Sequence, residues 1–311
     1  MDESGMTEGL AHAEALMIEG QNDEALDVLL GIAEDAEEYV DRNCPTTDEV
    51  QWFSFPTIFE RLAYRRVEKD PRELRDVGEP MDRLYGDLAL AAVHTGDYDI
   101  ATNALKQAVR WNPMGCEMRL NLADLFRVNG DINEYLALTY SVFERASDAR
   151  HLARAFANFS EYFLVQQKPR TAAAALRAGR RLGVRERALD QTLDQAAGTT
   201  HDPDLVGDDE ARDLLAQEGL PDGANAEIAI CLLMCATDAV QAGQQDVATN
   251  LTVRARDLVG EDASMALLRL IRQSDEDLAA GQGAPGKEDA PVEKGAADGA
   301  EGTAGGDADG R

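Results

Sequence analysis

Cys231 and Cys235 stand four residues apart in a segment whose apolar spacing is helical, which aims both thiols the same way. Paired thiolates can begin a zinc site, but zinc takes four ligands, and no His or further Cys lies near them in sequence. The reading that needs fewer coincidences is that they pack as small apolar residues. The four histidines, His12, His94, His151 and His201, show neither paired helical spacing nor a nucleophile beside them. His201-Asp202 is a lone dipeptide without a converging partner. The chain has no glycine-rich phosphate loop and no Gly-x-Ser-x-Gly elbow. It therefore offers no catalytic residue, no cofactor-binding residue and no metal ligand, and the protein is expected not to be an enzyme.

Charge narrows the partners. In 311 residues, 59 acidic side chains face 30 basic ones, a net charge of −29. Repulsion from phosphate argues against nucleic acid and against anionic membrane as partners. No run approaches the length of a membrane-spanning apolar helix. The opening Met1-Asp2-Glu3-Ser4 lacks the basic-then-apolar order of an export signal, so a cytoplasmic location is expected. The four irregularly spaced cysteines agree with reduced thiols there. The charge is uneven: residues 1–50 hold 15 acidic groups and one basic, whereas 168–187 hold seven basic and one acidic. Within the basic stretch, Arg177, Arg180, Arg181, Arg185 and Arg187 would suit an acidic partner. The competing reading, favoured for charge runs in general, is that they meet the protein's own acidic surface.

The elements that must position these residues are helices. Ala, Leu, Glu, Arg and Gln dominate, apolar residues recur at three- and four-residue spacings, and no convincing alternating run appears. The segment Gly96-Asp97-Tyr98-Asp99-Ile100-Ala101 returns 34 residues later as Gly130-Asp131-Ile132-Asn133-Glu134-Tyr135. Further copies begin at Gly20 and Gly243, and a weaker one, Gln167-Lys168-Pro169, lacks the glycine. A glycine ending one helix permits a left-handed cap, and the Asp or Asn after it can cap the next helix. Each unit is thus expected to be a helical hairpin.

This pattern resembles the tetratricopeptide repeat family. The best copy, from about Asp82 to Gly115, has small Ala89, the Gly96-Asp97-Tyr98 turn, Ala101, Ala108 and closing Pro113. The resemblance implies an all-α, right-handed solenoid of helix-turn-helix repeats whose first helices line a concave groove. It puts Leu90 and Val93, then Leu120, Asp124 and Arg127, then Glu161 and Leu164, on the groove side. Some family members clamp acidic peptides with Lys and Asn at such points; Gly86, Leu90, Leu120 and Asp124 stand there instead, so that clamp is absent.

The expected organisation is an N-terminal repeat (1–39), an irregular helical insertion or degenerate repeat (40–81), and three tandem repeats (82–183). An irregular helical segment (184–225), a C-terminal repeat with a capping helix (226–280) and a disordered acidic tail (281–311) follow. In the tail, 9 of 31 residues are Gly and Val292 is the only larger apolar side chain, too little to offset chain entropy. The aromatic cluster Trp52, Phe53, Phe55, Phe59 and Tyr64 is expected to wedge the first unit against the rest. The function expected is that of a scaffold or adaptor holding an apolar or amphipathic protein segment in the groove, with Asp124 or Glu161 meeting a basic residue. A peptide-sensing regulator, an enzyme with a site invisible in sequence, and self-association are the alternatives.

Overall fold

The computed structural model describes residues 3–282, so the expected disordered tail lies, from residue 283 on, outside the described residues. The chain divides into two units, 1–271 and 272–311, and the second is described only through the end of one helix. The described chain is predominantly helical: α1 (Glu3–Ile18), α2 (Asn22–Asn43), α3 (Ile58–Glu68), α4 (Met81–Thr95), α5 (Tyr98–Trp111), α6 (Cys116–Val128) and α7 (Ile132–Arg145) come first. They are followed by α8 (Ala149–Val165), α9 (Pro169–Arg181), α10 (Arg187–Ala196), α11 (Asp208–Gln217), α12 (Ala226–Gln241), α13 (Gln245–Val259) and α14 (Glu261–Gln282).

Consecutive helices pair as hairpins, α1 with α2, α4 with α5, α6 with α7, α8 with α9 and α12 with α13. One local device builds all five turns. Gly20, Gly96, Gly130 and Gly243 take left-handed backbone, with φ between 74° and 85°. In each case the next amide donates to a carbonyl five residues back, as Asp97 N does to Ala92 O at 2.8 Å. Gln167 replaces glycine in the fifth turn yet holds the same conformation at φ 57°, and Lys168 N donates to Phe163 O at 2.8 Å. The expected side-chain caps are fewer: Asp131 accepts from the amide of Glu134, whereas Asp97 makes no such bond. Small residues sit where paired helices meet: Ala89, Ala101, Ala108, Ala248 and Ala255 are all buried.

Residues 40–81 depart from the helical expectation. Val50–Phe53 and Glu73–Asp76 form strands β1 and β2, paired in parallel with Val50 opposite Glu73 and Phe53 opposite Asp76. A parallel pair needs a crossover, and α3 supplies it. The strands are four residues each, too short to leave an alternating signature, and Pro45 and Pro56 bracket the first. Phe53 stacks on Phe55 at 4.8 Å and meets Tyr64 at 4.6 Å, inside the core shared with α6 to α9 and α12. Trp52 leans instead on the core formed by α1, α2, α4 and α5. The aromatic wedge is therefore a small sheet between two hydrophobic cores.

The C-terminal hairpin returns to this insertion. The helix α12 packs on α3, and α13 on α8. Arg254 donates to Ser147 O at 3.1 Å and covers the ring of Phe59 at 5.1 Å, while Arg66 pairs with Glu227 at 2.6 Å. In an open array of repeats each unit would touch only its neighbours; here residues nearly two hundred positions apart meet.

Because Gln167 holds a left-handed backbone that glycine adopts without strain, Gln167→Gly should gain about 0.5–1 kcal/mol and Gly96→Gln should lose about as much. Nothing stands within 4 Å of a Cβ built on Gly96, so its loss would report backbone alone. Urea unfolding of the two variants measures both signs; a stabilised Gly96→Gln would remove the strain argument.

Candidate functional site

The first helices α4 and α6 of two successive hairpins enclose a pocket of about 570 Å³, floored by Leu105 of α5. Leu90 and Val93, one turn apart on α4, form one wall and remain 47% and 39% exposed. Met118 and Leu125 of α6 form the other. Gly86 belongs to the pocket for a steric reason: a Cβ there would stand 3.2 Å from Met118 Cε. Open apolar surface in a concavity of this size is the kind of feature that could hold a ligand.

The polar groups around the pocket divide into the paired and the unpaired. Arg83 of α4 donates through Nε to Glu14 of α1 at 2.8 Å, and its Nη2 reaches the same carboxylate oxygen. On the far side, Asp124 of α6 takes Arg154 of α8 at 2.7 Å and Arg127 at 3.6 Å, and Arg127 takes Glu161 of α8 at 2.7 Å. Ion pairs thus cross from α1 to α4 and from α6 to α8. Among the described residues none crosses from α4 to α6, where the pocket lies. Asp87 of α4 faces this gap. Its Oδ2 is shielded from solvent and accepts no hydrogen bond, and the nearest cation, Arg83 Nε, stands 3.9 Å away. Burial, reinforced by the Glu14 carboxylate, pushes Asp87 up to about 6.

The expected groove residues fare unequally. Leu90 and Val93 line the pocket. Leu120 does not: it is wholly buried in the core, where Leu120→Glu would strand a carboxylate. Leu164 is half-buried against that same core. Asp124, Arg127 and Glu161 are brought together, but as partners of one another and of Arg154. Asp124 also lines the pocket; sequence reasoning missed Met118 and Leu125 beside it, having placed Leu120 on that face of α6. It also passed over Asp87, whose signal was an acid set between Gly86 and Leu90 on an apolar helix.

The basic stretch is largely neutralised from within. Arg177 pairs with Asp208, Arg180 with Asp204 at 2.6 Å, and Arg181 with Asp222 at 3.4 Å. Lys168 and Arg170 hold Glu218 and Glu210 of the same acidic segment. Arg185 and Arg187 are exposed. As an acidic-partner patch the five arginines are mostly spent.

A second, polar concavity of about 460 Å³ gathers Cys116, Asp148, His151 and Arg254. Its chemistry is muted. Burial pushes the Cys116 thiol up to about 12 and holds His151 below its usual range, and no hydrogen bond joins them. Asp148 is engaged by the amide of Arg150 at the start of α8. Cys231 and Cys235 are buried, with burial pushing the Cys235 thiol up to about 11. Among the described residues no three of His, Cys, Asp and Glu are placed to hold a metal ion, and no helix is long and apolar enough to cross a membrane. The chain matches no known protein family and no curated protein.

The weakly compensated Asp87 carboxylate makes a stability prediction. Its folded value of about 6 lies above the ordinary 3.8, so the folded state binds more protons between these values and loses stability as pH rises through them. Asp87→Asn should therefore stabilise the protein by about 1–3 kcal/mol near pH 8, and the gain should vanish near pH 4. Urea midpoints at the two pH values check it, and an equal gain at both would mean that Asp87 has no raised value.

Proposed function

We propose that the protein is a non-catalytic binding module, a right-handed array of tetratricopeptide-like hairpins that serves as a scaffold or adaptor. It holds an apolar or amphipathic segment of a partner protein between the first helices of successive units. The observation that carries this reading is the open pocket between α4 and α6, with Leu90 and Val93 left half exposed on its wall. The five turns of one construction and the alanines at the hairpin seams support the repeat reading. The pocket faces the side on which the resemblance puts the groove, because both its walls are first helices. The binding surface is then one step of the array rather than its whole length, since the neighbouring steps are closed by ion pairs.

The reading is tested with the exposed wall residues, whose replacement should leave the core untouched. Leu90→Glu with Val93→Glu should keep the helical circular dichroism and a cooperative unfolding transition, since both side chains are about half exposed. Partner proteins captured from the native lysate by wild type, and confirmed as direct by binding of the purified partner, should be lost with this variant. Undiminished binding of such a partner by the folded double variant would move the site away from α4 and α6.

A further inference from the structure

Resting on the reading of the α4–α6 pocket as the partner groove, we infer that its ligand is a peptide segment carrying a lysine or arginine one helical turn from a leucine-sized side chain. Asp87 receives the cation, and Leu90, Val93, Met118 and Leu125 receive the aliphatic group.

The argument begins with what the fold leaves undone. Glu14 and Asp87 share a single guanidinium, that of Arg83, which turns its Nε and Nη2 donors to Glu14 and stands 3.9 Å from Asp87. The other groups facing this end of the pocket add no cation. Asp82 on α4 is itself desolvated, Glu117 on α6 is acidic, Asn121 on α6 accepts from Arg154, and Asp124 is already held by Arg154 and Arg127. A partly buried carboxylate that shares its one cation with a second carboxylate costs stability, and a further positive charge to relieve it would have to come with the ligand. Asp87 and Leu90 are three residues apart on one helix, so a cation and an aliphatic group one turn apart can meet both.

Charge complementarity also separates the occupants. Residues 283–311 carry seven acidic groups against three basic ones, with Val292 as the only larger apolar side chain, and fit the pocket poorly. A second copy of a chain with net charge −29 would meet repulsion on approach. A basic, aliphatic segment is drawn by the same field. Nor would the acidity of the whole surface select such a segment at this place. What selects it is the gap in the ion pairs between α4 and α6.

The test is a parallel selection of short phage-displayed peptides on three baits: wild type, Asp87→Asn, and Leu90→Glu with Val93→Glu. The wild type should enrich peptides that pair a basic with an aliphatic residue. Asp87→Asn should enrich aliphatic peptides without the basic residue, and the double variant should enrich neither. The strongest wild-type peptide is then compared with its Lys- or Arg-to-norleucine analogue by calorimetry. The analogue should bind wild type about tenfold more weakly and Asp87→Asn equally well. Lowering the pH from about 8 to about 5 should weaken the basic peptide alone, as Asp87 takes up a proton. Aliphatic peptides without a basic preference on wild type, or an unchanged preference on Asp87→Asn, would overturn the inference and leave the groove standing. No enrichment over the double variant would overturn the groove reading itself. A concentration-dependent dimer in sedimentation that Leu90→Glu dissolves, or competition for the pocket by a peptide of residues 283–311, would assign the pocket to this chain and overturn the inference as well.

Discussion

Two helices can meet across a seam of alanines only if the chain between them reverses in three or four residues without losing its carbonyl partners. The left-handed residue at each turn supplies that reversal. It closes the preceding helix with a bond from the next amide to a carbonyl five residues back, and it launches the following helix at once. Everything that follows in the hairpins depends on this geometry. With α4 packed on α5, Ala89, Ala101 and Ala108 are buried, and small side chains at such positions let paired helices approach closely. That Gln167 is held in the same conformation shows the packing of α8 on α9 to be stronger than the local preference of one side chain.

The second constraint is electrostatic. In a chain with twice as many acids as bases cations are scarce, and several of them are placed between elements. Arg83 ties α4 to α1, Arg154 and Arg127 tie α8 to α6, and the basic face of α9 gathers the acidic segment that includes α11. Singly, such exposed pairs contribute about 0–1 kcal/mol each, so they are poor evidence of stability. Their arrangement is more informative. They neutralise acids at the steps they cross, and their absence between α4 and α6 leaves Asp87 and the apolar walls available together.

Much of the scaffold was legible in the sequence because its signals are local. The turn glycines, the alanine positions and the period between Gly96 and Gly130 each report on contacts within one hairpin. The helical segment expected over 184–225 likewise contains α10 and α11. What was not legible depends on partners remote in sequence. The strands β1 and β2 are too short to announce themselves, and they exist because α3 can cross between them. The helix α6 is apolar on more than one face: Leu120 serves the core and Leu125 the pocket, so periodicity alone could not say which faces outward. The basic stretch at 168–187 looked available only because its counter-ions follow up to fifty residues later, Lys168 waiting for Glu218.

The insertion and the C-terminal hairpin explain why an irregular segment sits inside a regular array. Phe53 and Tyr64 belong to one hydrophobic core and Trp52 to the other, so the small sheet joins the hairpins on either side of it. By receiving α12 on α3 and Arg254 over Phe59, the insertion is held from the C-terminal end as well. Contacts of such sequence separation tie distant hairpins to one another, so a hairpin that opened would expose part of a core it shares with others. The pocket between α4 and α6 is flanked by elements bound in this way, and Asp87 is held in it beside Arg83 and Glu14.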